Sequence, residues 1–297
     1  MEACYVHETG KGFEQQIGVQ NDDQIAGLTE LAQAIKNDGA LAIMQIYHGG
    51  REAITAYQNN GRAVAPSVIA FDFLEYPVEE LTHDEILEIV KAYGQATQRA
   101  YEADFDGVEI HGANHYLIQQ FFSAFSNLRE DEWGGSLEKR MAFPLAVTTE
   151  VKRVVSTFDY SEFIVGYRIS PEQVHGETVG YDYKESLELV KHLVEHELDY
   201  LHISNFGTYD MGPNELEASY ADIFKEAVGE KLPVITVASV FNEADIEGFL
   251  AIADIVAIGR AALLDPQFTD KLVNNQADEI NHEMSPEVTD YVKWPKG

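Results

Sequence analysis

The apolar run Val108-Glu109-Ile110 ends abruptly in His111, Asn114, His115 and Tyr116. Four side chains able to donate or accept protons or hydrogen bonds therefore fall within six residues. Such a cluster is either a reaction centre at the end of a strand or a polar loop. Other chemistry-bearing residues also follow apolar runs: Gln45, His48 and Arg51; Arg168 and Ser170; Ser204 and Asn205; Ser239; and Gly259-Arg260. Arg168 is embedded in FIVGYRIS, and a guanidinium buried there needs an anionic or carbonyl partner. It either pairs with an inward carboxylate or faces a ligand that carries or develops negative charge. Gln45 poses the same question, because a heterocycle edge would satisfy its amide. Gly259-Arg260 is either a tight turn with a surface arginine or a phosphate clamp, where glycine allows close approach and arginine binds. His192 and Glu195-His196 fit a zinc-protease spacing. They fall on a helix whose apolar face is Leu187, Val190, Leu193 and Val194, so solvated surface histidines are expected and no metal.

The elements that must position these residues alternate with a regular rhythm. Strands are expected at Leu41–Tyr47, Gly107–His111, Phe163–Ile169, Tyr200–Ser204, Val234–Ala238 and Asp254–Ile258, all rich in Val and Ile. Residues 2–6 (EACYV) supply a further candidate. Helices are expected at Gln24–Ile35, from the capping-box pattern Thr82-His-Asp-Glu85 to about Tyr101, from Ser136 through Val155, and at Lys184–Glu197, Glu215–Val228 and Asn242–Ile252. Strand–helix alternation without hairpin signals implies parallel strands and right-handed crossovers. In a chain of 297 residues it favours an α/β fold of the (β/α)8 TIM-barrel type over a doubly wound sheet, and no GxGxxG follows any strand. Residues 1–297 are read as one domain. The count falls short of eight strands, so the barrel is expected to be incomplete at the N-terminus, with its first strand missing. In such barrels chemistry sits at the C-terminal ends of the strands, where the polar residues above fall.

Composition excludes several function classes. Asp and Glu number 51 against 20 Lys and Arg, a formal net charge of −31. That surface repels nucleic acid and anionic membranes, both of which need a basic footprint. The single cysteine, Cys4, rules out a disulfide within the chain and a cysteine-ligated iron–sulfur cluster. No apolar run reaches the ~18–20 residues of a membrane span, and MEACYVHETG is not signal-like, so a cytoplasmic location is expected.

Five stretches carry a family likeness: MQIYHGGR (44–51), APSVIAF (65–71), GVEIHGANHYLIQQFFSAFSNLREDEWGGSLEKR (107–140), VGYRIS (165–170) and VAIGRAALLDPQF (256–268). The chain resembles the Old Yellow Enzyme family of FMN-dependent ene-reductases, in particular its bacterial NADH-dependent flavin oxidoreductases. The resemblance implies FMN as cofactor, NADH or NADPH as reductant and a small-molecule substrate. It further implies that Gln45 binds the pyrimidine edge of the flavin and Arg168 lies beside its N1 and O2. Ser239, Gly259 and Arg260 would hold the phosphate, although Ala238-Ser239 replaces the glycine pair common there. The Ala3 backbone would lie near the reactive flavin edge. His111 and Asn114 would hydrogen-bond the substrate carbonyl, Tyr116 would donate the proton, and His115 receives no role.

The implied reaction is reduction of an activated alkene, in which hydride reaches the β-carbon and enolate charge develops on the carbonyl oxygen. Two donors aimed at that oxygen polarise the alkene, and the phenol supplies the proton. The expected missing strand leaves an alternative: a truncated, flavin-poor, non-catalytic barrel of the same family. Substrate choice is expected from loops 52–64 and 206–214, and the tail DYVKWPKG leaves a homo-oligomer open.

Overall fold

A computed structural model describes the chain apart from residues 73, 160, 161, 206, 207, 238, 239, 241 and 284–297. By internal packing the chain forms two compact units, one made of residues 1–201 with 230–232 and the other of residues 202–229 with 233–297. In chain order the main elements are β1 (Ala3–Tyr5), α1 (Ile25–Lys36), β2 (Ile43–Tyr47), α2 (His83–Glu102), β3 (Gly107–Gly112), α3 (Ala142–Val155), β4 (Ile164–Ile169), α4 (Tyr183–Glu195), β5 (Tyr200–Ser204), α5 (Tyr220–Val228), β6 (Val234–Val237), α6 (Glu243–Leu250) and β7 (Ile255–Ala257). The chain passes from the first unit to the second along β5.

In the first unit β1 pairs with β2, β2 with β3, and β3 with β4, all parallel. Successive side chains on a strand face opposite sides, and the register sorts them into rows. Cys4, Ile46, Ile110 and Tyr167 form an apolar row, fully or almost fully buried. The row one residue earlier, Ala3–Gln45–Glu109–Gly166, faces the other way and carries an amide and a carboxylate. One residue beyond the apolar row, on that same polar side, His111 stands opposite Arg168. The polar side is thus built by strand pairing alone, before any loop contributes.

Helix starts follow their caps. Thr82 accepts from the Glu85 backbone while Glu85 reaches back to Thr82 N, and α2 begins at the next residue. Asp182, Ser219 and Asn242 cap α4, α5 and α6. Ser219 and Asp222 form the capping box of α5, so the helix expected from Glu215 starts at Tyr220. The single helix expected from Ser136 is divided into Leu137–Arg140 and α3. Pro144 has no N–H to give the Arg140 carbonyl, which removes a hydrogen bond at the junction. One feature corrects the expectation of no hairpins: Gln173–His175 pairs antiparallel with Thr178–Tyr181. Its turn places Gly176 at φ +63°, and Gly-Glu is a weaker signal than Asn-Gly. In the second unit β6 and β7 pair parallel, and Ala261, Phe268 and Ile280 form a small core with Ile246, Ile258 and Leu272 against it.

Gly166 is required by close approach. A Cβ there would lie 2.0 Å from Cζ of Tyr200, whose ring crosses the strand at that point. Gly166→Ala should therefore lower the unfolding free energy by about 1–3 kcal/mol, the usual cost of overpacking. Urea denaturation checks this, and an unchanged midpoint would show that the ring moves aside freely.

Candidate functional site

The end of β3 turns sharply. Asn114 and His115 both adopt left-handed backbone, at φ 59° and 64°. That conformation costs ~1–2 kcal/mol for a residue with a Cβ, and hydrogen bonds hold it in place. Ser170 Oγ accepts from Asn114 N at 3.1 Å, and Gln119 Oε1 accepts from His115 N at 2.7 Å. Gln120 Nε2 donates to the His115 carbonyl at 2.6 Å. The turn swings Tyr116 back over the strand end. Its ring stands edge-on to His111 at 5.1 Å and to Tyr47 at 4.5 Å between centroids.

Tyr116, Asn114, His115, Tyr47, Glu52, Gly12 and Phe13 line a cavity of about 300 Å³. Burial, and then the Glu52 carboxylate, push the Tyr116 phenol above its ordinary 10, while Arg168 opposes them. The phenol is therefore protonated at neutral pH and able to donate. Burial also raises the Glu52 carboxyl, although Arg51 Nε lies 3.5 Å away. His111 is buried, and its Nδ1 accepts from Ala113 N at 3.3 Å, which makes Nε2 the protonated nitrogen.

On the polar row, Gln45 Nε2 donates to Glu109 Oε1 over a short contact. Tyr200 is also tied to Glu109: burial first, then this carboxylate, drives its phenol far up. Burial lowers the Arg168 guanidinium, and Glu109 is the largest influence opposing it. Glu109, opposite Gly166, is a carboxylate on the same face of the sheet as Arg168. Gln16 braces the start of the row, donating to the Ala3 carbonyl at 2.8 Å.

Other residues singled out in the sequence are structural. Arg51 is buried, with Nη1 on Ser126 Oγ at 2.7 Å and its guanidinium 4.4 Å over the Phe71 ring. His196 is capped by Thr149 at 3.1 Å and by the His192 carbonyl at 2.8 Å. Among the described residues no group of three or more His, Cys, Asp or Glu is poised to hold a metal ion. His48 accepts from Gly50 N at Nδ1, so its Nε2–H donates to Thr9 Oγ1 at 3.0 Å and anchors the segment that brings Gly12 and Phe13 to the cavity.

Burial holds the His48 imidazole well below 6.5, and the nearby His7 adds to the effect. The unfolded chain then binds more protons than the folded chain below pH 6.5. The contribution to stability is full above that value and falls as pH drops. His48→Gln should flatten the decline of Tm between pH 6.5 and about pH 5. An unchanged slope would assign the acid loss to other groups.

The structure brings Ala3, Gln45, His111, Asn114, Tyr116 and Arg168 together in the first unit. Gly259 and Arg260 lie in the second unit. A Cβ at Gly259 would meet nothing within 4 Å, so packing does not demand the glycine and its backbone faces open space. Arg260 is exposed. Ser239 lies outside the described residues, as do the tail DYVKWPKG and positions 206–207 of the second expected loop. Sequence reasoning missed Glu109, Glu52, Tyr47 and Tyr200, and it set aside His115, whose ring lines the cavity and meets Gln173 Nε2 at 3.0 Å. Glu109 alone left a signal, as a carboxylate two residues before His111 in a buried strand.

The donor set suits a flat heterocycle. Gln45 offers an amide edge, Arg168 a cation, and Ala3 a backbone without a bulky side chain. The scaffold is a parallel α/β one of the TIM-barrel class, and it carries this row with an imidazole, a carboxamide and a phenol at one strand end. The chain belongs to the NADH:flavin oxidoreductase / NADH oxidase family, whose model matches residues 1–279, and so to the Old Yellow Enzyme relatives. Family membership gives FMN as its cofactor, and relatives are named for NADH and for NADPH. It is 44% identical over 277 residues to the probable NADH-dependent flavin oxidoreductase YqiG of Bacillus subtilis (strain 168), covering 91% of this chain and 73% of that protein. It is 40% identical over 286 residues to the NADH:acrylate oxidoreductase of Vibrio harveyi, covering 93% of this chain but only 28% of that longer protein. Among solved structures, morphinone reductase in complex with tetrahydroNAD superposes with a TM-score of 0.76 at 28% identity, over 97% of this chain and 79% of that one. Among the described residues no helix is long and apolar enough to cross a membrane.

Proposed function

We propose that this chain reduces activated alkenes of the enone type at the end of β3. The observation that carries the reading is the cavity lined by Tyr116 and Asn114, with the His111 ring 5.1 Å from the phenol. Relatives named for acrylate and fumarate support an alkene conjugated to a carbonyl group as the reacting unit.

FMN bound here would supply the hydride chemistry, with NADH or NADPH as its reductant. Gln45, Arg168 and the Ala3 backbone would hold the flavin ring. His111 Nε2–H and the Asn114 amide bind the substrate carbonyl oxygen, where negative charge grows as the alkene is reduced. Tyr116 delivers the proton to the α-carbon. The raised phenol keeps that proton in place between turnovers.

The test is direct. The purified protein should be yellow, with a flavin band bleached by NADH or NADPH and restored by cyclohexenone. A colourless protein that takes up no added FMN would overturn the reading.

A further inference from the structure

We infer that Glu109 is a positioning residue for the flavin ring, which fixes the orientation of the Gln45 amide, offsets the Arg168 charge and so sets the reduction potential of bound FMN. The inference rests on the proposed reading that Gln45 and Arg168 meet the flavin.

Glu109 is 6% exposed and stands directly opposite Gln45 in the parallel register. A carboxylate only accepts hydrogen bonds, so it selects the NH2 end of the amide. That choice turns the Gln45 carbonyl oxygen away from Glu109, as an acceptor for a heterocycle N–H. Without Glu109 the amide has no chemical reason to prefer that orientation over its flipped form.

The carboxylate also acts through charge. It is the main influence opposing the effect of burial on Arg168. Tyr200, seated over Gly166, is the third group tied to it. Burying a carboxylate is costly unless it is paired, and an apolar side chain would fill this row without that cost. The register therefore places a carboxylate on the same face of the sheet as the guanidinium proposed to meet the flavin. A guanidinium so offset favours electron uptake by the ring less than a bare one would.

The experiment is a spectroelectrochemical titration of the full-length, FMN-loaded chain with Glu109→Gln. The neutral isostere should shift the ratio of reduced to oxidised FMN at a fixed potential at least tenfold toward reduced, which is ~30 mV for a two-electron couple. FMN should also bind more weakly, read by fluorescence titration of the apoprotein. Where E109Q purifies without flavin, Glu109→Asp carries the test. Its carboxylate is drawn back by one methylene and should give at least a threefold shift in the same direction. A potential unchanged from wild type in the loaded variant overturns the role of Glu109, since a residue that merely braces the strands would leave it unmoved. A wild-type chain that binds no FMN overturns the underlying reading, and this inference with it.

Discussion

Tyr116→Phe is expected to lower enone turnover by about 10²–10⁴, the usual contribution of a general acid, while reduction of the flavin by NADH or NADPH survives. The phenylalanine ring keeps the edge-on contacts that Tyr116 makes with Tyr47 and His111. Only the hydroxyl leaves the cavity, so the substitution reports on the proton and not on packing. Stopped-flow measurement of the two half-reactions separates the cases. Equal losses in both would remove Tyr116 from the acid role. The pH profile gives a second check. Burial and Glu52 raise the phenol above 10, so the enone step should lose no rate to its ionisation up to that pH. Glu52→Gln removes one of the two upward influences and should bring the alkaline limit down.

His111→Ala should cost about 10²–10³ in kcat/KM for the enone, the typical loss when one donor to a developing oxyanion is removed. His111 earns this weight through its tautomer. Ala113 N donates to Nδ1, which leaves the proton on Nε2 as a donor. The ring is 4% exposed and lies opposite Arg168 in the register, so it is held rather than mobile. Asn114→Ala should add a further loss in the same half-reaction. Urea denaturation of both variants separates a missing donor from a loosened strand end. A fall in stability that matches the fall in rate, with equal losses in both half-reactions, would count against the clamp.

The parts of the site that could be read in the chain share a physical cause. His111 ends a Val- and Ile-rich strand, and strand ends are where a parallel α/β fold presents polar groups. Arg168 and Gln45 were visible because charge and amide are costly inside apolar strands. Strand positions follow from alternation and the start of α2 from its cap Thr82, whereas the Ser219 cap of α5 went unread. The failures are equally specific. The break before α3 depends on one missing N–H at Pro144, and the hairpin at 173–181 turns on Gly-Glu, a dipeptide with little signal of its own.

The sequence by itself determined the strands of the parallel sheet, the polar donors that end them and, through the likeness of 107–140, the family. Only the tertiary structure decided what those donors face. Register set Glu109 against Gln45, the absence of a side chain at Gly166 admitted Tyr200, and two left-handed residues aimed Tyr116 at His111. Each of these depends on contacts between residues distant in the chain. Local propensity is blind to such contacts, because it reads the backbone's own preferences and not what lies across the sheet.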